Sequence, residues 1–196
     1  MLENKEITTK ARSILKGNWV LVIITSISIT VVAEILSAFL SALPILGFFL
    51  QIALDGIVAV GLSLFFLNLV NNNNPIFKDG LDGLEHAIQA SKLYLLNLLY
   101  ILLWALLLII PGIIAAINYS LLGFIFAENK DMPVKEILQK SKEMMLGHKW
   151  QAVRLCLRLI LWVIPCLLTL GIGFVWLIPY AHTSFTVFYN EVKAAN

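Results

Sequence analysis

Apolar positions in this chain come in long, nearly uninterrupted blocks. Residues 93–127 and 159–190 contain no Lys, Arg, Asp or Glu, and between Lys16 and Lys78 only Glu34 and Asp55 interrupt. A helix needs about 20 apolar residues to cross a hydrocarbon core of ~30 Å, so each block is long enough to cross twice. Helix breakers sit near the middle of each block: Leu43-Pro44 with Gly47, Pro111-Gly112, and Gly171-Ile172-Gly173. The pattern predicts six transmembrane helices arranged as three hairpins, over 18–43, 45–70, 93–110, 112–127, 152–170 and 174–189. The hairpins, about 18–70, 93–127 and 152–189, form one polytopic domain spanning 1–196.

A short amphipathic stretch precedes each hairpin. Ile7, Ala11, Ile14 and Leu15 make one helical face, Phe77, Leu81, Leu84 and Ile88 a second, and Val134, Ile137, Leu138, Ser141 and Met145 a third. Asp131 and Pro133 mark the start of the third. Such helices are expected in the membrane interface, or as connectors that set hairpin spacing. Ser13-Ile14-Leu15-Lys16-Gly17-Asn18-Trp19 is similar to Met144-Met145-Leu146-Gly147-His148-Lys149-Trp150, with a fainter echo in Ala90-Ser91-Lys92-Leu93-Tyr94. Three copies of an interfacial helix plus a hairpin would give a pseudo-threefold internal repeat. Trp19, Tyr94 and Trp150 would then be interface anchors.

Composition agrees with this all-α integral membrane reading. The chain is 60% hydrophobic and 13% charged, with mean hydropathy +0.89, too little polar surface to coat a water-soluble globule. In lipid the backbone must satisfy itself, and these Leu/Ile/Val runs lack the alternation of a barrel strand. None of the three turns carries a charge, whereas Lys5, Lys10, Arg12, Lys16, Lys78, Lys92 and the stretch 130–149 all fall on the other side. The positive-inside rule makes that side the cytoplasm and places both termini there. A net charge of +2 without a solvated basic domain gives nucleic acid no binding surface. The first apolar run outlasts the h-region of a signal peptide and is read as retained.

Charged and polar groups inside the blocks are the candidates for chemistry. Glu34 lies ten residues before Pro44 and Asp55 eleven after it, which in an antiparallel hairpin puts both about 15 Å below the turn. An ionised carboxylate there costs at least ~2.5–3.5 kcal/mol, so each must be protonated, paired or wet. His182 is at a comparable distance past the third turn. Glu34, Gln51, Asp55, Asn118, Tyr119 and His182 are therefore read as one intramembrane polar cluster. It serves either as an ion path or ligand pocket, or as a hydrogen-bond network fixing helix register. Arg154 and Arg158 are read as snorkelling to headgroups, with a salt bridge from Arg158 to Asp55 or Glu34 as the alternative.

Enzymatic signatures are missing: no Gly-x-Ser-x-Gly elbow, no His-Glu-x-x-His and no phosphate-cradling glycine loop. Cys156 and Cys166 are ~15 Å apart along one predicted helix, too far for a disulfide. His86, His148 and His182 have no metal-ligand spacing among themselves or with the cysteines, and Asp79-Gly80 and Asp82-Gly83 read as turn residues. No metal, cofactor or catalytic residue is expected.

Several stretches are familiar in combination: Ala11-Arg12-Ser13-Ile14-Leu15-Lys16-Gly17-Asn18-Trp19, Ile110-Pro111-Gly112-Ile113-Ile114 with Asn118-Tyr119, and Ser141-Lys142-Glu143-Met144-Met145-Leu146-Gly147-His148-Lys149. Pro179-Tyr180, Thr183 and Phe188-Tyr189 complete the order. Over essentially its whole length the chain resembles the bacterial integral-membrane family known as domain of unknown function 975. It is distantly similar to the membrane domains attached to some glycerophosphodiester phosphodiesterases, where the membrane part is not the catalytic part. The resemblance implies a multi-pass bacterial cell-membrane protein and brings no catalytic residues. Together with the residue pattern it leads to a non-enzymatic protein acting on membrane lipid, a membrane partner or a membrane-active peptide, in envelope maintenance or protection. The rival is a small ion, proton or solute transporter or channel using Glu34 and Asp55.

Overall fold

A computed structural model describes residues 2–107 and 109–195; Leu108, inside the helix read over 93–110, lies outside the described residues. Among the described residues all regular structure is helical. The first helix, α1 (Asn4–Leu15), starts where the Glu3 amide donates to the Glu6 carboxylate at 2.7 Å. It buries Ile7, Ala11 and Leu15 completely, a stripe at four-residue spacing. The long pair follows: α2 (Trp19–Leu40) and α3 (Pro44–Val70), the latter with proline at its first position, where no amide hydrogen is missed. After a 3₁₀ turn (Phe77–Leu81) and the single-turn α4 (Asp82–Glu85) come α5 (Ala87–Leu107), α6 (Ile109–Asn118), α7 (Leu122–Glu128) and α8 (Val134–Met144). The chain ends in α9 (Lys149–Ile160), α10 (Val163–Leu168) and α11 (Phe174–Ala195).

Five helical stretches are long and apolar enough to cross a membrane: Trp19–Leu40, Ile45–Val70, Ala87–Leu106, Ile110–Glu128 and Lys149–Leu168. The last helix, expected as a sixth crossing, is not among them. It runs on to Ala195 and buries Thr183, Ser184 and Thr186, whose hydroxyls donate to carbonyls one turn back.

Several breaks differ from the expected ones. Pro111 and Gly112 fall in the first turns of α6, not between helices; Gly112 instead lets α6 lie directly on Ala105 of α5. The helix expected over 112–127 is interrupted after Asn118, and that expected over 152–170 is interrupted at Leu161-Trp162. There Pro165, lacking an amide hydrogen, cannot bond to the Leu161 carbonyl.

The three turns do not share one face as expected. Gly173 lines a cavity together with Arg12 and Trp19, so the third turn lies beside the start of α2. The other end of α2, at Leu40, is ~32 Å away by helix rise. The reason is the packing of α1. Asn4 donates to the Gln151 carbonyl (3.1 Å), Gln151 donates back to the Leu2 carbonyl (2.9 Å), and the Tyr180 hydroxyl donates to the Thr8 carbonyl (3.3 Å). These contacts lay α1 lengthwise against α9 and α11.

The repeat survives only locally. Gly17 and Gly147 both take left-handed φ values, +98° and +80°, ending one helix and letting the next start at Trp19 and Lys149. The middle unit is built differently. Its expected apolar face, Phe77, Leu81, Leu84 and Ile88, is exposed, while Gly80 and Gly83 are buried. Gly83 packs on the Ile57 carbonyl and the Gly80 carbonyl packs on Gly61. Helical periodicity cannot anticipate such glycine-to-backbone packing, which depends on missing side chains.

Apolar residues divide into two populations. One is a closed core drawing Ile7, Leu93, Phe126, Ile137, Leu155 and Phe188 from six helices, with a smaller cluster of Leu15, Val22, Phe65 and Phe66 beside it. The other is exposed: Val20, Ile24, Val32 and Phe39 on α2 with Ile45 and Leu46 at the start of α3, Leu102, Leu106, Ile110 and Ile113 on α5 and α6, and Leu161, Leu168, Leu170 and Ile172 around the third turn.

Candidate functional site

The six polar residues expected as one cluster occupy three places. Glu34, Gln51 and Asp55 are all exposed on the α2–α3 hairpin. His182 stacks on Phe66, ring centres 5.1 Å apart and planes 6° from parallel. Phe66 is eleven residues beyond Asp55 on α3, ~16 Å along the axis, so His182 is not at the depth of the carboxylates. Asn118, buried at the end of α6, receives the Ser141 hydroxyl on its carbonyl at 2.7 Å, while its own Oδ1 is buried without a partner. Tyr119 is set against Tyr100 at 6.1 Å. The assumption that failed is equal hairpin depth, overturned by the placement of the third turn beside α1.

Both cysteines are free thiols, Cys166 buried and Cys156 half-buried. Asp82, read as a turn residue, and His86, read as lacking metal-ligand spacing, join Glu85 with ligand atoms within 4.8 Å of one another. Lys130 pairs with Asp82, and Lys78 lies 3.8 Å from Glu85, so both carboxylates already have a counter-charge.

A set of adjoining concavities lies where α1 meets α9, α10 and α11. An apolar cavity of about 360 Å³ is walled by Trp19, Trp162, Cys166, Trp176 and Leu177, with Arg12 at its rim. Arg12, Trp162 and Tyr180 also line an adjoining cleft of about 480 Å³ that contains Lys5, Thr8 and Arg158. Lys5 and Arg158 in turn border a third, wider depression that adds Arg154. The three form one groove with an aromatic end and a basic end. Each part falls within the ~300–1,000 Å³ usual for small-molecule sites.

Local structure fixes the basic end. The Arg12 guanidinium sits 6.0 Å from the ring centres of both Trp162 and Tyr180, within reach of a cation–π attraction. Tyr180 is held by its bond to Thr8. Arg158 enters because it is one helical turn before Trp162 on the same face. The ion pairs among the described residues are made by Lys10, Lys78, Lys130 and Lys193, so Lys5, Arg12 and Arg158 are without a carboxylate partner. The salt bridge weighed for Arg158 with Asp55 or Glu34 is thus not formed. The sequence did carry a trace of this site: Arg12 and Arg158 each stand a few residues before a tryptophan, Trp19 and Trp162, at the edge of a long apolar block. Nothing in it joined them, because they are 146 positions apart.

Fold and groove together define a helical protein with several apolar, membrane-compatible helices and an amphipathic cleft at the foot of two of them. Residues 105–196 match the model of a family described as protein of unknown function (DUF975), a stretch that includes Trp162, Trp176 and Arg158 but neither α1 nor Trp19. No curated protein and no solved structure matches the chain.

Proposed function

We propose that this is a non-enzymatic protein of a bacterial cytoplasmic membrane that acts by interaction within the bilayer, holding a membrane amphiphile in the groove beside α1. The observation that carries this reading is the continuity of an aromatic cavity with a basic cleft through Arg12, Trp162 and Tyr180. Such a gradient matches the boundary between acyl chains and headgroups, where tryptophan and arginine are both at home. Both termini lie on the cytoplasmic side in this reading. The α2–α3 hairpin crosses the bilayer, and the third hairpin dips in from the same side as α1.

Two measurements test it. A photoactivatable lipid should label Trp162–Trp176 in wild-type protein and lose that label in Trp162→Ala/Trp176→Ala of unchanged melting temperature; equal labelling of both overturns the groove. In intact cells, a cysteine at Ser41 should react with an impermeant reagent and one at Ile172 should not. Reaction at Ile172 would restore a full third crossing.

A second reading, an ion path using Glu34 and Asp55, rests on the presence of two exposed carboxylates within an otherwise apolar hairpin. Proton flux in liposomes that disappears in Glu34→Gln/Asp55→Asn would establish it, and absence of flux in the wild type would remove it.

A further inference from the structure

We infer that the occupant of the groove is an anionic phospholipid, its phosphate seated among Lys5, Arg12 and Arg158 and an acyl chain lying along Trp19, Trp162 and Trp176. This inference rests on the amphiphile-binding reading above and adds the headgroup charge. The cleft supplies three cations and no carboxylate among its lining residues. Since none of the three forms an ion pair among the described residues, the groove presents positive charge to whatever enters it. Like-charge crowding of two guanidinium groups and an ammonium is relieved by an anion, and phosphate suits this set because arginine binds it in a two-pronged fashion.

Arg12 is the residue that joins headgroup to tail. It borders both the basic cleft and the aromatic cavity, so a group it holds is covalently within reach of an apolar chain in the cavity. A soluble phosphate ester would use the cleft alone and leave the aromatic wall uncovered. A neutral lipid would fill the cavity and leave the cations unmet. A zwitterionic headgroup brings its own ammonium beside Lys5 and Arg158, which costs part of what its phosphate gains. The acidic residues facing the neighbouring depression, Glu3 alone among its lining, are too few to hold that ammonium at each basic position.

The test uses the full-length protein in nanodiscs containing equal amounts of phosphatidylglycerol and phosphatidylcholine, released into native mass spectrometry to count retained lipids. Wild type and Lys140→Gln, a basic residue outside the groove, should retain phosphatidylglycerol preferentially. Arg12→Gln/Arg158→Gln should lose that preference by about tenfold, as expected for removing charge-assisted hydrogen bonds. Arg12→Lys/Arg158→Lys should recover part of it, which separates lost charge from lost folding. Millimolar glycerol phosphate should not displace the lipid. Equal retention of both lipids by wild type overturns the inference and leaves the amphiphile reading standing. Retention of neither lipid overturns both. Preference that persists in the double glutamine variant, or displacement by glycerol phosphate, overturns the assignment of the phosphate to these residues as a lipid headgroup.

Discussion

The closed core and the hairpin ends of this protein are built from the same residue types and obey different solvents. Phe126, Ile137 and Leu155 have no exposed surface, whereas Leu106 and Leu168 are 89% and 80% exposed. In the core, side chains from six helices exclude one another's solvent and interlock. At the hairpin ends apolar surface faces outward, which is stable only if the solvent there is itself apolar. The lesson is that hydropathy identifies residues that avoid water without saying whether protein or lipid will cover them.

The sharpest way to break the comparison is truncation on both sides of it. Phe126→Ala should cost about 3–5 kcal/mol, while Leu168→Ala in the same detergent should change unfolding by less than about 0.5 kcal/mol. Similar losses at both positions, read from denaturant unfolding in micelles, would mean the hairpin end is covered by protein. Next in size is Gly83→Ala, whose new Cβ would run into the Ile57 carbonyl; it should cost about 1–3 kcal/mol through overpacking. A neutral result would show that α4 is not seated on α3.

Smaller effects probe the polar joints of the core. Ser141→Ala removes the donor to the Asn118 carbonyl and leaves that carbonyl buried, for an expected loss of about 1–2 kcal/mol in melting experiments. Tyr189→Phe removes the 2.8 Å bond to Glu128 and should cost about 1 kcal/mol, since Lys193 still meets the same carboxylate. Lys10→Ala, at an exposed pair 3.6 Å from Glu191, should cost at most about 1 kcal/mol, and less in high salt. A larger loss there would make the α1–α11 contact electrostatic, not apolar.

What was legible in the chain follows from local rules. Ile7, Ala11 and Leu15 repeat at helical spacing and do form one face of α1, which the fold buries in the core. Pro44 starts α3, and Gly17 and Gly147 end their helices in the left-handed conformation a side chain would resist. The turn at Gly171-Ile172-Gly173 is present, and so is the break at Leu43-Pro44. The middle prelude failed because its burial runs through Gly80 and Gly83, and glycine leaves no mark on an apolar pattern. The polar cluster failed because depth was counted from each turn as though all turns lay on one plane.

By itself the sequence determined the apolar character of each block, the helical state of the backbone and the helix stops at Gly17, Leu43-Pro44, Gly147 and Gly171-Ile172-Gly173, since these depend on residues close in the chain. It also determined that positive charge gathers at the feet of the apolar blocks. Only the tertiary structure decided that the third turn lies beside α1, that His182 meets Phe66 and not Asp55, and that Arg12 joins Trp162 and Arg158 in one groove. Those outcomes rest on contacts such as Asn4 with Gln151 and Tyr180 with Thr8, made between positions about 150 or more residues apart, and no short-range pattern sets the height at which one helix packs against another.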